Sequence, residues 1–152
     1  LALRSVLGDE TYDRALSEYT RRWLFKHPTP WDFFHTFESV AGHDLDWFWV
    51  PWFYGPGVSD MGIADVEVHS MTGRNHVVVV VRNDGTVISP VVLRITTADG
   101  ATAMVEAPAS RWFGGQEEIS VEGTVDGDVS KVELDPDGLY ADVDPSDDVW
   151  TP

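Results

Sequence analysis

The chain has 152 residues, and its 26 acidic and 10 basic side chains give a formal net charge of −16 at pH 7. This charge repels phosphate groups, which excludes nucleic acid and anionic lipid surfaces as partners. The absence of cysteine excludes a disulfide framework, a thiolate zinc site and a cysteine nucleophile.

The chain opens on helical sequence. Leu1-Ala2-Leu3-Arg4 has the character of a helix end, and no cleavable apolar core follows it, so we expect the chain to begin in the middle of a domain. No window reaches the roughly 18 apolar residues of a membrane span. Gly8-Asp9-Glu10 predicts the start of a helix over 9–25. One face of that helix is apolar and carries Tyr12, Ala15, Leu16, Tyr19 and Trp23.

Two more helices follow, and residues 21–54, which run from the end of the first helix through both of them, hold five of the seven tryptophans. Thr29-Pro30-Trp31-Asp32 places a hydroxyl at the N-cap, a proline at the first helical position and a carboxylate at the third. Gly42 ends this helix, and Asp44 offers the N-cap of the next. Pro51 should kink or shorten the third helix. Its apolar stripe consists of Leu45, Phe48, Trp49, Trp52 and Phe53.

Gly55-Pro56-Gly57 separates the helical sequence from a second region of different composition. Residues 1–57 hold five basic and eight acidic residues, whereas residues 58–152 hold five basic and eighteen acidic residues. The second region alternates short β-branched runs with turn residues. We therefore predict two domains, 1–57 and 58–152.

The second domain contains strands at a spacing of roughly ten residues, which is typical of an antiparallel sandwich. The predicted strands are Ile63 to His69, His76 to Val81, Val91 to Thr97, Ala101 to Ala107, Glu118 to Glu122 and Val129 to Leu134. Asn83-Asp84-Gly85 reads as a hairpin turn, and Val77 to Val81 as a strand that is buried on both faces or central in the sandwich. The fold class is therefore α+β, a small helical bundle followed by an immunoglobulin-like β-sandwich.

Residues 1–54 carry a resemblance to a known family. The run LRSVLGDETYDRALSEYTRRWLFKHPTPWDFFHTFESVAGHDLDWFWVPWFY is similar to the segment that ends the catalytic domain in bacterial aminopeptidase N-like zinc metallopeptidases, the gluzincins with a GAMEN strand and an HExxH helix. The strand-rich remainder is similar to the β tail of some of those enzymes. The resemblance implies a parent that uses zinc to remove amino-terminal residues from peptides, and it favours an exported, periplasmic or cell-surface location.

The zinc site of that family is absent from this chain. Its ligands include two histidines one helical turn apart with a glutamate between them. No such pair occurs among His27, His35, His43, His69 and His76. The transition-state tyrosine of the family would lie upstream of Leu1. We therefore expect no catalytic or metal-binding residue here, and we expect the missing catalytic domain of the same polypeptide to be the partner of the helices.

Two groups of residues have candidate roles in the intact enzyme. Lys26 and His27 precede the Thr29 cap and could reach a substrate carboxylate, although basic residues at a helix C-terminus are also explained by the helix dipole. A set of aromatic residues should serve core and interdomain packing rather than sugar stacking. These residues are Trp23, Trp31, Phe33, Phe34, Trp47, Trp49 and Trp52.

Three further possibilities are weaker. His35 and Glu38 could share a metal, but no third ligand follows at helical spacing. The acids near the end of the sequence alternate like a calcium loop without its full frame. They are Asp135, Asp137, Asp142, Asp144, Asp147 and Asp148. Ser110 lies in no G-x-S-x-G motif, which argues against a serine hydrolase.

Two function classes remain open. The first is a non-catalytic C-terminal region of a zinc aminopeptidase-like protein, in which the helices complete the wall of the peptidase cleft and the sandwich supports them. The second is a free-standing binding or adhesion module that recognises a protein or polysaccharide through the sandwich. The aromatic helical segment favours the first class, because a simple adhesin has little use for it.

Overall fold

The structure is a computed structural model that describes residues 1–152. The chain divides into two compact units, Leu1–Pro56 and Gly57–Pro152. The first unit is helical and the second consists of antiparallel strands, so the fold is α+β with a β-sandwich. None of the helices combines the length and the apolar character that a membrane crossing requires.

The helical unit contains four α-helices and a final π-helical turn. They are α1 (Ala2–Leu7), α2 (Asp9–Trp23), α3 (Pro30–Ala41), α4 (Asp46–Trp49) and the π-helical turn Val50–Tyr54. The helix predicted over 9–25 ends two residues early, because Leu24 is extended and Phe25 takes a left-handed conformation with φ of 61°. Neither conformation continues an α-helix.

Helix α3 begins and ends where its sequence predicts. Thr29 is the N-cap, and the Asp32 carboxylate accepts hydrogen bonds at 2.7 Å from both the backbone N–H and the hydroxyl of Thr29. Gly42 ends the helix with φ of 79°, a conformation that glycine adopts without a Cβ clash.

Helix α4 starts one position later than the predicted Asp44 cap. Leu45 occupies the N-cap, while the Asp44 side chain accepts a hydrogen bond of 2.8 Å from the backbone N–H of Asp46. The α-helix lasts only four residues and gives way to the π-helical turn that contains Pro51. Pro51 cannot donate a backbone hydrogen bond, which explains the short α-helix.

The second unit is a sandwich of two antiparallel sheets. Its strands are β1 (Met61–Met71), β2 (Arg74–Asn83), β3 (Val91–Thr97), β4 (Thr102–Ala107), β5 (Glu118–Val125), β6 (Val129–Leu134) and β7 (Val149–Trp150). One sheet has the order β1-β2-β5 and the other the order β4-β3-β6-β7. This is an immunoglobulin-like arrangement in which the fourth strand pairs with the third.

The hairpin prediction at Asn83-Asp84-Gly85 is wrong. Strands β2 and β3 lie in different sheets, so this segment begins a crossover between the sheets. Its turn is local: the Asn83 side chain accepts from the Gly85 N–H at 3.1 Å and donates to the Val87 carbonyl at 3.1 Å. The two-residue hairpin lies instead between β1 and β2, where Met71 is paired with Arg74.

The sandwich core comes from alternate residues of facing strands. In β2, Val77, Val79 and Val81 are completely buried, while Val78 and Val80 are half-buried. Strand β2 is the central strand of its sheet, as one of the two sequence interpretations has it. Fourteen buried residues form this core, including Leu93, Ile95 and Trp112.

Candidate functional site

The most distinctive surface of the helical unit is a cluster of three half-exposed aromatic side chains. Trp31, Phe53 and Tyr54 are 55%, 56% and 56% exposed, and we call them the exposed aromatic cluster. The rings of Trp31 and Tyr54 are stacked at 5.7 Å between centroids. The buried Phe34 lies beneath them, at 5.1 Å from Phe53 and 6.1 Å from Tyr54.

This cluster rests on a small aromatic core. Six buried residues form the core, namely Ala15, Phe34, Phe37, Leu45, Phe48 and Trp49. Phe34 is stacked on Trp49 at 4.6 Å, and Phe33 lies 4.3 Å from Phe37. Rings in such contact stabilise a structure by about 0.5–1.5 kcal/mol per pair beyond their burial. The core therefore fixes the base on which the exposed rings stand.

The aromatic residues predicted to pack are spread from the core to the surface. Phe34 and Trp49 are fully buried, and Phe33, Trp47 and Trp52 pack against the core while partly buried. Trp23 is also partly buried, whereas Trp31 is largely exposed. Phe53, which the sequence assigns to the apolar stripe of the third helix, is 56% exposed. The π-helical turn changes the rotation per residue, so Phe53 leaves the face that Leu45, Phe48 and Trp49 bury.

Lys26 and His27 lie in the exposed loop between α2 and α3. The Lys26 ammonium stands over the Trp23 ring, 5.7 Å from its centroid. Beside it, Leu24 and Phe25 are 58% and 96% exposed. The loop thus presents two basic and two apolar side chains to solvent. Positive φ at a bulky residue such as Phe25 is uncommon.

A shallow depression of about 520 Å³ lies between α2 and α3. Its lining includes Arg14, Glu18 and Arg21. The cations in it are already engaged, since Arg14 donates to the Val40 carbonyl at 3.1 Å and Arg21 donates to Glu18 at 2.7 and 2.8 Å. The depression therefore offers little free positive charge to an anionic ligand.

Three acidic residues meet at the end of α3. Side-chain oxygens of Glu38, Asp44 and Asp46 lie within 4.8 Å of one another. This set differs from the predicted pair of His35 and Glu38, because His35 packs near Trp31 at 6.3 Å. Carboxylates so placed are the ligand type that Ca²⁺ prefers.

Glu38 also has a structural role. Its Oε1 accepts hydrogen bonds from the Trp49 indole at 3.0 Å and from the Leu45 backbone at 3.3 Å. These bonds join the end of α3 to α4. These two hydrogen bonds explain the position of the Glu38 carboxylate without a bound ion.

The acids near the end of the sandwich are not arranged like a calcium loop. The group of three carboxylates close enough to share one ion is in the helical unit. Asp142 instead accepts from the Met61 backbone N–H at 2.9 Å, and Asp144 accepts from the Ser146 N–H and hydroxyl at 3.1 and 2.6 Å. Asp135 accepts from the backbone of Leu139 at 3.0 Å. Asp135 and Asp144 therefore order the backbone of their own segment, whereas Asp142 binds the start of β1.

Some features of this surface are not visible in the sequence. The exposure of Phe25, Phe53 and Tyr54 depends on one left-handed residue and one π-helical turn, and apolar periodicity signals neither. Pro51 is the only local sign of the π-helical turn. Comparison with protein-family models and with curated proteins finds no match to this chain.

Proposed function

We propose that this chain is a non-catalytic C-terminal region of a zinc-dependent aminopeptidase-like protein. In this proposal the helical unit completes the wall of the peptidase cleft, and the sandwich is a supporting domain. The parent protein removes amino-terminal residues from peptides with a zinc ion held by residues outside this chain.

The exposed aromatic cluster is the observation that carries the proposal. Large apolar side chains in contact with one another, and each more than half exposed, are the usual mark of a surface that another protein region covers. In the family that residues 1–54 resemble, the preceding part of the catalytic domain is that region. Covering the cluster would remove apolar surface from water at about 25 cal/mol per Å².

Lys26 and His27 have a secondary place in the proposal. Both are exposed, and Lys26 has its charge held above the Trp23 ring. A cation at the rim of a peptidase cleft can bind the carboxylate of a short peptide. We expect Lys26→Ala to raise KM with little change in kcat in the parent enzyme, with the exposed Arg74→Ala of the sandwich as the control.

The direct test uses the native polypeptide. Peptide mapping and intact mass give the sequence ahead of Leu1, and a fluorogenic aminopeptidase assay gives the activity before and after zinc chelation. The proposal predicts an HExxH peptide upstream and activity that is lost on chelation and restored by zinc. A native chain that begins close to Leu1 and hydrolyses no peptide would overturn it and move the weight to a sandwich binding module.

A matched pair of variants tests the role of the cluster in that polypeptide. Tyr54→Ala removes half of the stacked pair with Trp31. We expect it to lower the thermal stability of the catalytic domain and its activity together. Met71→Ala removes a side chain that is 63% exposed on the sandwich, and it should change neither. Equal behaviour of the two variants would contradict a covering role.

A further inference from the structure

One segment of the sandwich is rich in acidic side chains and is bonded to strands of both sheets, while its Trp150 packs against the core. We call residues 142–150 the acidic strap. At its start, the Asp142 carboxylate accepts from the Met61 N–H at 2.9 Å, and the Val143 N–H donates to the Ser59 carbonyl at 3.1 Å. At its end, β7 pairs with β6, and the Leu134 N–H donates to the Asp148 carbonyl at 2.8 Å. The strap therefore connects β1 of one sheet to β6 of the other.

Asp147 is packed in a way that disfavours its charge. Its carboxylate lies directly on Gly62, where a Cβ would come within 2.0 Å of Asp147 Oδ2. Its other oxygen, Oδ1, is fully enclosed and has no hydrogen-bond partner. An enclosed carboxylate oxygen without a donor is costly when ionised. Burial raises the pKa of Asp147 despite an opposing hydrogen bond from its own backbone N–H, and the charges of Asp144, Asp142 and Asp60 raise it further.

Burial and nearby negative charges also raise the pKa of two neighbouring carboxyl groups, those of Asp148 and Asp60. Burial first, and then the charges of Asp142, Asp147, Asp135 and Asp144, raise the pKa of Asp148 to about 6. Asp60, just before β1, also has a raised pKa, mainly through burial and then through Asp142.

The cations near the strap are committed to other acids. On β2, Arg82 donates from Nε to Asp84 at 2.6 Å, and the charges of Asp147 and Glu118 also act on it. On β6, Glu133 lies opposite Val149 of the strap. Its own partners are the cations Arg94, at 2.9 Å, and Lys131, at 3.0 Å. No ion pair joins Arg94 or Lys131 to a carboxylate of the strap.

We propose that the acidic strap is a pH-sensitive clasp, which docks tightly on the sandwich in mild acid and loosens as the pH rises toward neutrality. A carboxyl with a raised pKa takes up its proton more readily in the docked state than in the open state. Docking is therefore favoured as the pH falls through about 6 and is disfavoured above it. Opening of β7 leaves β6 as an unpaired edge of its sheet.

The test is hydrogen exchange of the 152-residue chain, followed residue by residue by NMR between pH 5 and 7.5. The reporters are the amides of Leu134, Met61 and Val143, whose acceptors lie in the strap or against it. A single carboxyl with a pKa near 6 changes the opening equilibrium by about tenfold over this range. After correction for intrinsic exchange rates, we expect these three amides to be about five- to tenfold more protected at pH 5, while the amides of β2 change far less. Equal pH dependence in the strap and in β2 would overturn the proposal.

Two substitutions that each remove one negative charge distinguish a specific effect of the strap from general charge repulsion. Asp148→Asn keeps the shape of the side chain and mimics its protonated form, so strap protection at pH 7.5 should rise toward its pH 5 value and become less sensitive to pH. Glu106→Gln removes the same charge from an exposed position on β4 and should leave the pH dependence intact. Asp147→Asn provides a second strap variant, with the same expected direction. The clasp is refuted if the strap variants and Glu106→Gln behave alike.

Discussion

The two units of this chain differ in how completely they enclose their own cores. The sandwich buries fourteen core residues from both of its sheets, including completely enclosed valines and leucine on β2 and β3. The helical unit buries six, and a continuous set of aromatic rings leads from that core to the half-exposed Trp31, Phe53 and Tyr54. The sandwich encloses its core on both faces, whereas the helical unit leaves part of its aromatic set exposed to solvent.

The units also differ in the surroundings of their acidic side chains. In the helical unit, Glu18 is engaged by Arg21 and Arg22, and Asp32 belongs to the Thr29 cap. In the sandwich, acids crowd together at the strap, where Asp147 and Asp148 have raised pKa values. Mildly acidic pH should therefore stabilise the sandwich, whereas strongly acidic pH should destabilise the helical unit.

Removing an aromatic ring from the helical core should have the largest effect. Phe37 is completely buried and contacts Tyr12 and Phe33 at 5.6 and 4.3 Å. We expect Phe37→Ala to destabilise the helical unit by about 3–5 kcal/mol, measured by urea unfolding with far-UV circular dichroism. Leu16→Ala, at a position 40% exposed, should cost less than about 1 kcal/mol. Equal losses for both variants would mean that the aromatic core is not what stabilises the unit.

The sandwich offers a test that depends on one buried hydrogen bond. Trp112 is buried in the core, and its indole N–H donates to the Ser89 carbonyl at 2.9 Å. Trp112→Phe removes the donor and part of the ring, so we expect a loss of about 2–3 kcal/mol in the unfolding free energy of the sandwich. Exchange of the α3 amides should remain unchanged in this variant. A matching loss of protection in α3 would mean that the effect of the Trp112 hydrogen bond is not confined to the sandwich.

A smaller effect is expected at the start of α3. Thr29→Ala removes the hydroxyl of the N-cap residue, which Asp32 holds at 2.7 Å. Loss of such a cap costs about 1 kcal/mol. Amide exchange in the first turn of α3 should increase, while Thr102→Ala on the exposed end of β4 should have no such effect. Unchanged exchange in α3 would show that Pro30 alone sets the helix start.

The smallest expected effect concerns strong acid. Hydrogen bonds from Arg21 and then Arg22 lower the pKa of Glu18 to about 2. A lowered carboxyl pKa contributes stability that is complete above the ordinary value of 4.5 and is lost as the pH falls toward 2. We expect the helical signal to decline slightly over this range, and Glu18→Gln to flatten the decline. Glu10→Gln, on the same helix, is the control, and an identical curve for the two variants would argue against the ion pairs.

Local sequence signals predict the positions of the helices and strands better than the contacts between residues that are distant in sequence. The Thr29 cap, Gly42 and the β-branched runs depend on neighbours in sequence, and α3 and the main strands agree with them. The crossover at Asn83 was missed because a turn sequence does not specify which sheet the next strand joins. Glu38 meets Asp44 and Asp46, and Asp147 meets Gly62, only through the three-dimensional path of the backbone.

The central claim is that another part of the same polypeptide covers the exposed aromatic cluster. Hydroxyl-radical footprinting tests it directly, by comparing the 152-residue chain with the native polypeptide purified from its source. Trp31, Phe53 and Tyr54 should react readily in the isolated chain and be protected severalfold in the native polypeptide, while Met71 of the sandwich reacts equally in both. Equal labelling of the three aromatic residues in the two samples would contradict the claim.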